Sequence, residues 1–304
     1  MNSRDSMPKK QHYVPRFYLN EFATDDTYGL KDKQQVHIYN KKNEKFEKRN
    51  TKSIAHKKYL YSPKDDNNNR SSYMEDKLGL LENNISSKIW SDLANDYIDL
   101  DNNNSIKKYL ALFISTLILR HPNNLNENEL FFSKFYKDII KHFPHNVTEC
   151  KFIIKDKEFI LNIEEVTSRE NQSDYDKSMF FIENIELLSI EYVEIFMKKK
   201  WSIVTSEERC FITSDNPVII SNDTTNTFGI NTKGTIISFP ISPNRLLLLE
   251  DNINNSSDVL YHPLNKGHHP YFNSPLWGSD NNFIISSNNL EIIVDEIYEY
   301  FNKD

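Results

Sequence analysis

Residues 10–23, which read KQHYVPRFYLNEFA, constrain the fold more than any other stretch of the chain. Four aromatic rings, a histidine, a proline and an arginine fall within it. Domain termini are usually polar and poorly ordered, whereas this stretch carries enough apolar surface to be buried. We expect Pro15 to lie in the first turn of a short helix. If that helix includes both residues, His12 and Arg16 are neighbours, because they are four positions apart.

The composition is that of a globular protein with a substantial core. The 304 residues include 19 Phe and 16 Tyr, and 27% of them are charged. The only cysteines, Cys150 and Cys210, are too few for a disulfide framework or a cysteine zinc cluster. The longest apolar run, residues 109–119, is too short to cross a bilayer, and the N-terminal stretch lacks a signal-peptide pattern. We therefore expect a cytoplasmic protein with no membrane partner.

The charge distribution is uneven. The net charge is -7 and the isoelectric point is about 5.8, which argues against a protein that coats duplex DNA. Basic residues nevertheless concentrate between positions 31 and 58. This segment is either a solvated face or a contact for RNA, DNA or a nucleotide.

The apolar patterning predicts one α+β domain over residues 1–304, with a helical body, a small N-terminal hairpin and a C-terminal antiparallel sheet. Residues 8–62 hold the opening motif and the hairpin. Residues 72–199 form the helical body. Residues 201–304 form the sheet and a terminal helix.

The hairpin is predicted from residues 35–39 and 45–48, followed by a helical turn and a short strand within 53–62. Helices are predicted over about 72–93, 105–121, 127–142, 173–199 and 290–301, with Ser72 and Ser105 as N-caps. Strands are predicted at 151–154, 158–161, 201–205, 210–213, 218–221, 235–239 and 246–249.

Several common enzyme classes are excluded by missing motifs. Six glycines are present, and none has the spacing of a P-loop or of G-x-G-x-x-G. P-loop NTPases and ordinary Rossmann dehydrogenases are therefore excluded. The chain also lacks the G-x-S-x-G elbow, the H-E-x-x-H zinc helix, the EF-hand loop and the kinase signature.

His12 and Arg16 are the first candidate site residues. An imidazole transfers protons near neutral pH, and a guanidinium beside it can hold a phosphate through two parallel hydrogen bonds. The alternative is structural, with His12 capping a turn and Arg16 paired with an acid at the edge of the core.

Glu75, Glu82 and Arg120 are candidates in the helical body. The two glutamates are seven residues apart and so share one face of a helix. They either bind a divalent metal, orient an arginine or are solvated. Glu82 follows Leu81 of the apolar stripe and is the better candidate for partial burial. Arg120 ends an apolar helix, and a buried guanidinium needs a partner, either a structural acid or a bound anion.

Asp215 and Asn216 lie in the stretch Thr213-Ser214-Asp215-Asn216-Pro217, between two predicted strands. Asp and Asn before proline often start turns by hydrogen-bonding their own backbone. The alternative is functional, because groups at strand ends commonly carry chemistry. Asp215 would then be a base or a metal ligand.

The opening motif, HYVPRFYL followed by Phe22 and Ala23, resembles the signature of a widespread bacterial domain family of unknown function, family 4238. Further stretches fit the same family: residues 36–40, 53–61, 75–93, 120–122, 211–218 and 239–243. The resemblance spans about residues 9–250 and implies no reaction. It implies that His12, Arg16, Arg120 and Asp215 belong to one site. Families of this kind look like accessory genes of bacteria, so a role in defence or as a toxin is a further expectation.

Three interpretations remain open. The first is a hydrolase of a phosphate-containing substrate (RNA, DNA or a nucleotide), with His12 and Asp215 as catalytic residues and Mg²⁺ or Mn²⁺ bound by Glu82 and Asp215. Its substrate-binding residues would be Arg16, Arg120 and Asn216. The second is a non-catalytic sensor of an anionic ligand or a protein-interaction module. The third is a structural network that ties the N-terminus to the sheet.

Overall fold

A computed structural model of the chain describes residues 8–100, 103–125, 148–154, 157–162, 174–222, 224–225, 229–253 and 259–302. The helix predicted over 127–142 lies outside the described residues. The apolar core joins residues of all three predicted sub-regions, among them Tyr13, Leu110 and Ile285. The predicted single domain stays a prediction.

The first part of the chain contains β1 (Lys10–His12), α1 (Arg16–Glu21), β2 (Gln35–Asn40), β3 (Lys45–Asn50), a 3-10 turn (Thr51–Ser53), β4 (His56–Lys58), α2 (Tyr73–Lys88), α3 (Trp90–Asn95) and α4 (Asn104–Leu119). The second part contains β5 (Glu149–Ile154), β6 (Lys157–Asn162), α5 (Asp174–Lys198), β7 (Lys200–Thr205), β8 (Thr213–Ser214), β9 (Ile219–Asn222), β10 (Thr235–Ser242), β11 (Arg245–Glu250), β12 (Leu260–Pro263), α6 (His269–Gly278), β13 (Phe283–Ser286) and α7 (Leu290–Phe301). The predicted α+β class is confirmed.

The opening motif is a strand followed by a helix. His12 ends β1, and Pro15 precedes α1 in an extended conformation with φ −61° and ψ 143°. The two residues do not share a helix, so the condition under which His12 and Arg16 would be helical neighbours is not met. Proline disfavours helical geometry in the residue before it, so α1 begins only at Arg16.

The predicted N-terminal hairpin forms from β2 and β3, and C-terminal strands extend it. The sheet order is β3-β2-β13-β8, with Ile285 of β13 opposite both Ile38 of β2 and Thr213 of β8. Of the strand predicted at 210–213, Thr213 alone is in a strand, and it belongs to this sheet. This pairing places residue 215 close to the N-terminal segment.

The larger C-terminal sheet has the order β12-β7-β11-β10-β9. The pairs among β7, β11, β10 and β9 are antiparallel, as predicted. The sheet as a whole is mixed because β12 runs parallel to β7. Strand β12 lies on the far side of β7 from β11, an arrangement that apolar spacing along the chain does not reveal.

The helical body differs from its prediction in two details. The helix predicted over 72–93 breaks at Ile89, so α2 and α3 are separate. The N-cap of α4 is Asn103, whose side chain accepts a hydrogen bond from the amide of Ile106 at 3.3 Å, so the assignment of this cap to Ser105 is wrong. Both residue types are good caps. No helix among the described residues combines the length and apolar character needed to cross a membrane.

An aromatic cluster fixes α1 between the helical body and the larger sheet. The Tyr18 ring stacks on Phe239 of β10 at 5.2 Å between centroids, and Trp90 of α3 lies 5.5 Å from Phe113 of α4. The Tyr18 hydroxyl donates to the carbonyl of Pro240 at 2.9 Å. Such ring pairs contribute about 0.5–1.5 kcal/mol each beyond their buried area. The opening motif is thereby anchored in the core, as its composition predicts.

Candidate functional site

Asp215 occupies the end of β8 and is fully buried. One carboxylate oxygen, Oδ1, accepts from the amides of Asn282 at 2.8 Å and Phe283 at 3.0 Å. The other, Oδ2, accepts from Asn282 Nδ2 at 2.9 Å and from the Tyr13 hydroxyl at 3.1 Å. We call these four residues the Asp215 brace. A carboxylate accepts about four hydrogen bonds, so this one is saturated and ties the N-terminal segment to β13.

Tyr13 can serve the brace only as a donor. Burial, and then the Asp215 charge, raise the pKa of its phenol far above the usual value. Its ring meets the ring of His121 edge-on at 5.1 Å. Burial lowers the pKa of His121, against the opposing effect of Asp215, so this imidazole is neutral. Asn216 is half-buried, and its amide donates to Ser214 Oγ at 3.0 Å in a tight turn.

Arg120 lies at the C-terminal end of α4, and its side chain is 1% exposed. Its Nη1 donates to Glu82 Oε1 at 2.6 Å. Its Nε and Nη2 are buried and have no hydrogen-bond partner among the described residues. Burying a charged group costs free energy unless all its polar atoms are satisfied. Two N–H groups of the guanidinium are therefore available to donate to a further acceptor.

Glu75 and Glu82 face Arg120 from α2, as the spacing of seven residues predicts. Burial, and then the Glu82 charge, raise the pKa of Glu75 to about 7, against the opposing effect of Arg120. A carboxyl group with such a pKa changes protonation at neutral pH. Tyr61 is buried beside it and donates from its hydroxyl to the Arg120 carbonyl at 3.3 Å.

His12 approaches Arg120 from β1. Burial lowers the pKa of His12 to about 4, with smaller contributions from His56, Arg16 and Arg120. A hydrogen bond with the backbone of Lys52 opposes these effects. Nε2 is buried and has no hydrogen-bond partner in the described part of the chain. With a pKa of about 4, His12 is a neutral imidazole at neutral pH.

We call His12, Tyr61, Glu75, Glu82 and Arg120 the Arg120 cluster. Arg16 is not part of it, since its Nη2 is held by Asp32 at 2.7 Å in a half-exposed ion pair. The structure thus brings His12 and the Arg120 guanidinium into electrostatic contact, and it commits Asp215 to the brace. The roles predicted for His12, Arg16, Arg120, Asp215 and Asn216 stay predictions.

The predicted metal site has no support in the described geometry. No group of three or more His, Cys, Asp or Glu side chains in these residue ranges could hold a metal ion. One carboxylate oxygen of Glu82 already accepts a hydrogen bond from Arg120. Each carboxylate oxygen of Asp215 already accepts two. The nearest approach to a metal site is the pair Glu75 and Glu82, which has two carboxylates only. Binding of Mg²⁺ or Mn²⁺ by Glu82 and Asp215 stays a prediction.

Sequence reasoning missed three residues. Tyr13 lies inside the opening motif. The alternation of side chains along a strand would have placed it on the face opposite the exposed Lys10, and so indicated its burial. Tyr61 follows a short predicted strand and resembles any other core aromatic. Asn282 has no recognisable signal in the sequence, because its role arises only when β13 pairs with β8.

Comparison with known proteins identifies the family but not a reaction. A family model described as "Protein of unknown function (DUF4238)" matches residues 10–289. Neither the curated proteins nor the solved structures gave a significant match. The matched region contains both the Asp215 brace and the Arg120 cluster. The chain belongs to the DUF4238 family.

Proposed function

We propose that this protein is a hydrolase of phosphate-containing substrates and that its reaction centre is the Arg120 cluster. One observation carries the proposal. The fully buried Arg120 guanidinium has two donors without partners among the described residues, and its charge acts on a neutral imidazole and on a carboxyl group of pKa about 7. Charge for binding an anion and groups for moving protons are thereby combined in one place.

Each residue has a defined step in the proposed reaction. Arg120 Nε and Nη2 donate to two phosphate oxygens. His12 Nε2 accepts a proton from the water that attacks phosphorus. The bond to the leaving oxygen breaks, and protonated Glu75 gives that oxygen a proton. A bound phosphate also raises the pKa of His12, because a nearby anion favours the imidazolium ion.

A cavity of ≈ 180 Å³ adjoins the cluster at Tyr61 and is also lined by Arg70 and Met74. His12, Glu75 and Arg120 do not line it. A free thiol at Cys210 is consistent with the cytoplasmic location that we propose. A bacterial defence or toxin role is the corresponding biological proposal.

The test is incubation with RNA, plasmid DNA and nucleotides, with and without Mg²⁺ or Mn²⁺. We expect turnover by the wild-type protein and a loss of about 10²-fold or more in His12→Gln and Glu75→Gln, since each removes a proton-transfer group. His262→Gln and Glu44→Gln are matched controls at exposed positions and should keep full activity. Intact substrates in every reaction would refute the hydrolase.

A non-catalytic anion sensor is the second candidate. Two features favour this candidate, namely the complete burial of Arg120 and the four hydrogen bonds that Asp215 already accepts. A hydrolase needs neither feature for turnover. The two candidates differ in one result. A sensor is stabilised by inorganic phosphate or a nucleotide and loses this response in Arg120→Met, but it leaves every substrate unchanged.

A further inference from the structure

The short ribbon formed by β1 and β4 has one chemically distinctive face. Its register pairs Lys10 with Lys58, and His12 with His56. Side chains alternate between the two faces of a strand, so these four residues lie on the same face. The rings of His12 and His56 meet edge-on at 5.4 Å between centroids, as this arrangement requires. We call these four residues the Lys–His face.

Lysines on and around this face lack acidic partners. Lys9, Lys10, Lys57 and Lys58 are exposed, and none forms an ion pair with a carboxylate in the described ranges. Two basic residues of the neighbouring hairpin have acidic partners instead, Lys48 with Asp26 at 3.8 Å and Arg49 with Glu47 at 2.8 Å. A local positive excess on a chain of net charge -7 indicates an anionic partner.

The positive field extends towards the proposed reaction centre. Lys10 lowers the pKa of His56, after the larger effect of burial. His56 in turn lowers the pKa of His12, together with Arg16 and Arg120. The lysine pair is two residues along the strand from the histidine pair, which is about 7 Å. A phosphate near the histidine pair therefore meets further positive charge about 7 Å along the strand.

We propose that the Lys–His face binds the sugar–phosphate backbone of a single-stranded nucleic acid and delivers one phosphodiester to the Arg120 cluster. This inference rests on the proposed hydrolase. A nucleoside monophosphate whose single phosphate is bound at Arg120 has no second phosphate to contact Lys10 and Lys58. A chain of phosphodiesters does, because successive phosphates lie along the ribbon.

The ribbon favours a single strand over a duplex and over a membrane. It is three residues long, about 10 Å, so it spans only a few phosphates. An interfacial membrane site needs apolar side chains beside its basic ones. On this ribbon Gln11 is buried, and the exposed positions are lysines. Anionic vesicles are therefore an alternative for the test to exclude.

The experiment measures fluorescence anisotropy of short labelled single-stranded RNA and DNA, over a series of salt concentrations. We compare K10E/K58E with K42E/K45E, which makes the same charge change at exposed positions of the β2–β3 turn. With the two lysines of the face in contact, log K should fall with log salt at a slope of about −1.4. Loss of two contacts should weaken binding by roughly tenfold in K10E/K58E and leave K42E/K45E close to wild type.

Hydrolysis of bis(p-nitrophenyl) phosphate is measured in parallel and separates the two proposals. We expect the ratio of strand cleavage to bis(p-nitrophenyl) phosphate hydrolysis to fall roughly tenfold in K10E/K58E and to keep the wild-type value in K42E/K45E. If K10E/K58E binds and cleaves strands like K42E/K45E, the Lys–His face has no such role, although the hydrolase stands. If strands bind at the face and no substrate is hydrolysed, the hydrolase is wrong. Binding to phosphatidylserine vesicles in place of oligonucleotides would also overturn the Lys–His assignment.

Discussion

The Asp215 brace and the Arg120 cluster are both buried, both polar and both built on motif residues, yet their hydrogen bonding differs. In the brace, Asp215 accepts four hydrogen bonds from Tyr13, Asn282 and Phe283. In the cluster, Arg120 has one acidic partner and two buried donors without partners among the described residues. Burial of a charge thus does not by itself indicate function. A buried charged group whose hydrogen bonds are all made within the protein is structural, whereas one with unpartnered polar atoms is available to bind a ligand.

The largest expected effect is on the brace. Asp215→Ala removes the acceptor of the buried Tyr13 hydroxyl, of the Asn282 and Phe283 backbone amides and of the side chain of the exposed Asn282. The cost is about 1–3 kcal/mol for each donor that stays buried and unsatisfied. We expect a total loss of about 4 kcal/mol in the free energy of unfolding, measured by urea denaturation. Asp295→Ala, exposed on α7, should change it by less than about 0.5 kcal/mol. Equal midpoints for the two variants would show that the brace carries no stability.

Replacement of both Arg120 and Glu82 by apolar residues should cost less stability than Asp215→Ala and should abolish the response to a ligand. Apolar replacement of a buried ion pair is often neutral when both partners change, so we expect Arg120→Met/Glu82→Leu to unfold within about 2 kcal/mol of wild type. Inorganic phosphate should raise the melting temperature of the wild type, by mass action, but not that of the double variant. Arg49→Met/Glu47→Leu removes a half-exposed pair and should keep the phosphate response. A double variant as unstable as Asp215→Ala would place Arg120 with the structural groups.

The pH dependence of stability isolates Glu75. Its pKa of about 7 in the folded protein exceeds the ordinary 4.5, so the folded state binds more protons than the unfolded state between these values. Stability then falls as pH rises through this window. His12 acts oppositely, because its pKa is lowered from 6.5 to about 4, and it adds stability that is lost as pH falls through that range.

The wild type should therefore lose stability relative to Glu75→Gln as pH rises, by about 1–2 kcal/mol once the shift is discounted for partial exposure. Urea denaturation across the acid-to-neutral range measures this difference. His12→Gln should change the pH dependence with the opposite sign. A pH-independent difference between wild type and Glu75→Gln would mean that Glu75 has an ordinary carboxyl pKa.

The smallest effect is expected at Arg16. Its ion pair with Asp32 is half-exposed, and such pairs contribute about 0–1 kcal/mol. Arg16→Met should hence leave the unfolding midpoint almost unchanged. The same variant should raise the pKa of His12, because Arg16 helps to lower it, and NMR titration of the imidazole measures that shift. A large loss of stability would instead assign Arg16 to the framework, beside Asp215.

Local elements were largely predictable because apolar spacing records which face of each element is buried. The hairpin β2–β3 and the terminal helix Leu290–Phe301 are found where the pattern predicts them. Errors arise where a neighbour overrides local preference. Pro15 holds the residues before it extended, so His12 lies on a strand, and Ile89 interrupts the helix predicted over 72–93.

The candidate site was predictable in part. An acid–guanidinium pair was one of the alternatives that the sequence left open for Glu75, Glu82 and Arg120, and the structure shows Arg120 paired with Glu82 at 2.6 Å. The sequence alone did not show whether Asp215 has a structural or a catalytic role. A turn carboxylate and a catalytic carboxylate have the same residue type, and their partners decide between them.

The amino-acid sequence by itself determined the α+β class, the anchoring of the opening motif in the core and the family, because composition, periodicity and motifs are local properties of the chain. Tertiary structure decided which strands share a sheet and which charges are satisfied. Tyr13 and Asp215 are 202 positions apart, and β13 reaches β2 from the far end of the chain. Hydrogen bonds across such separations depend on how the whole chain packs, and no window of sequence contains both partners.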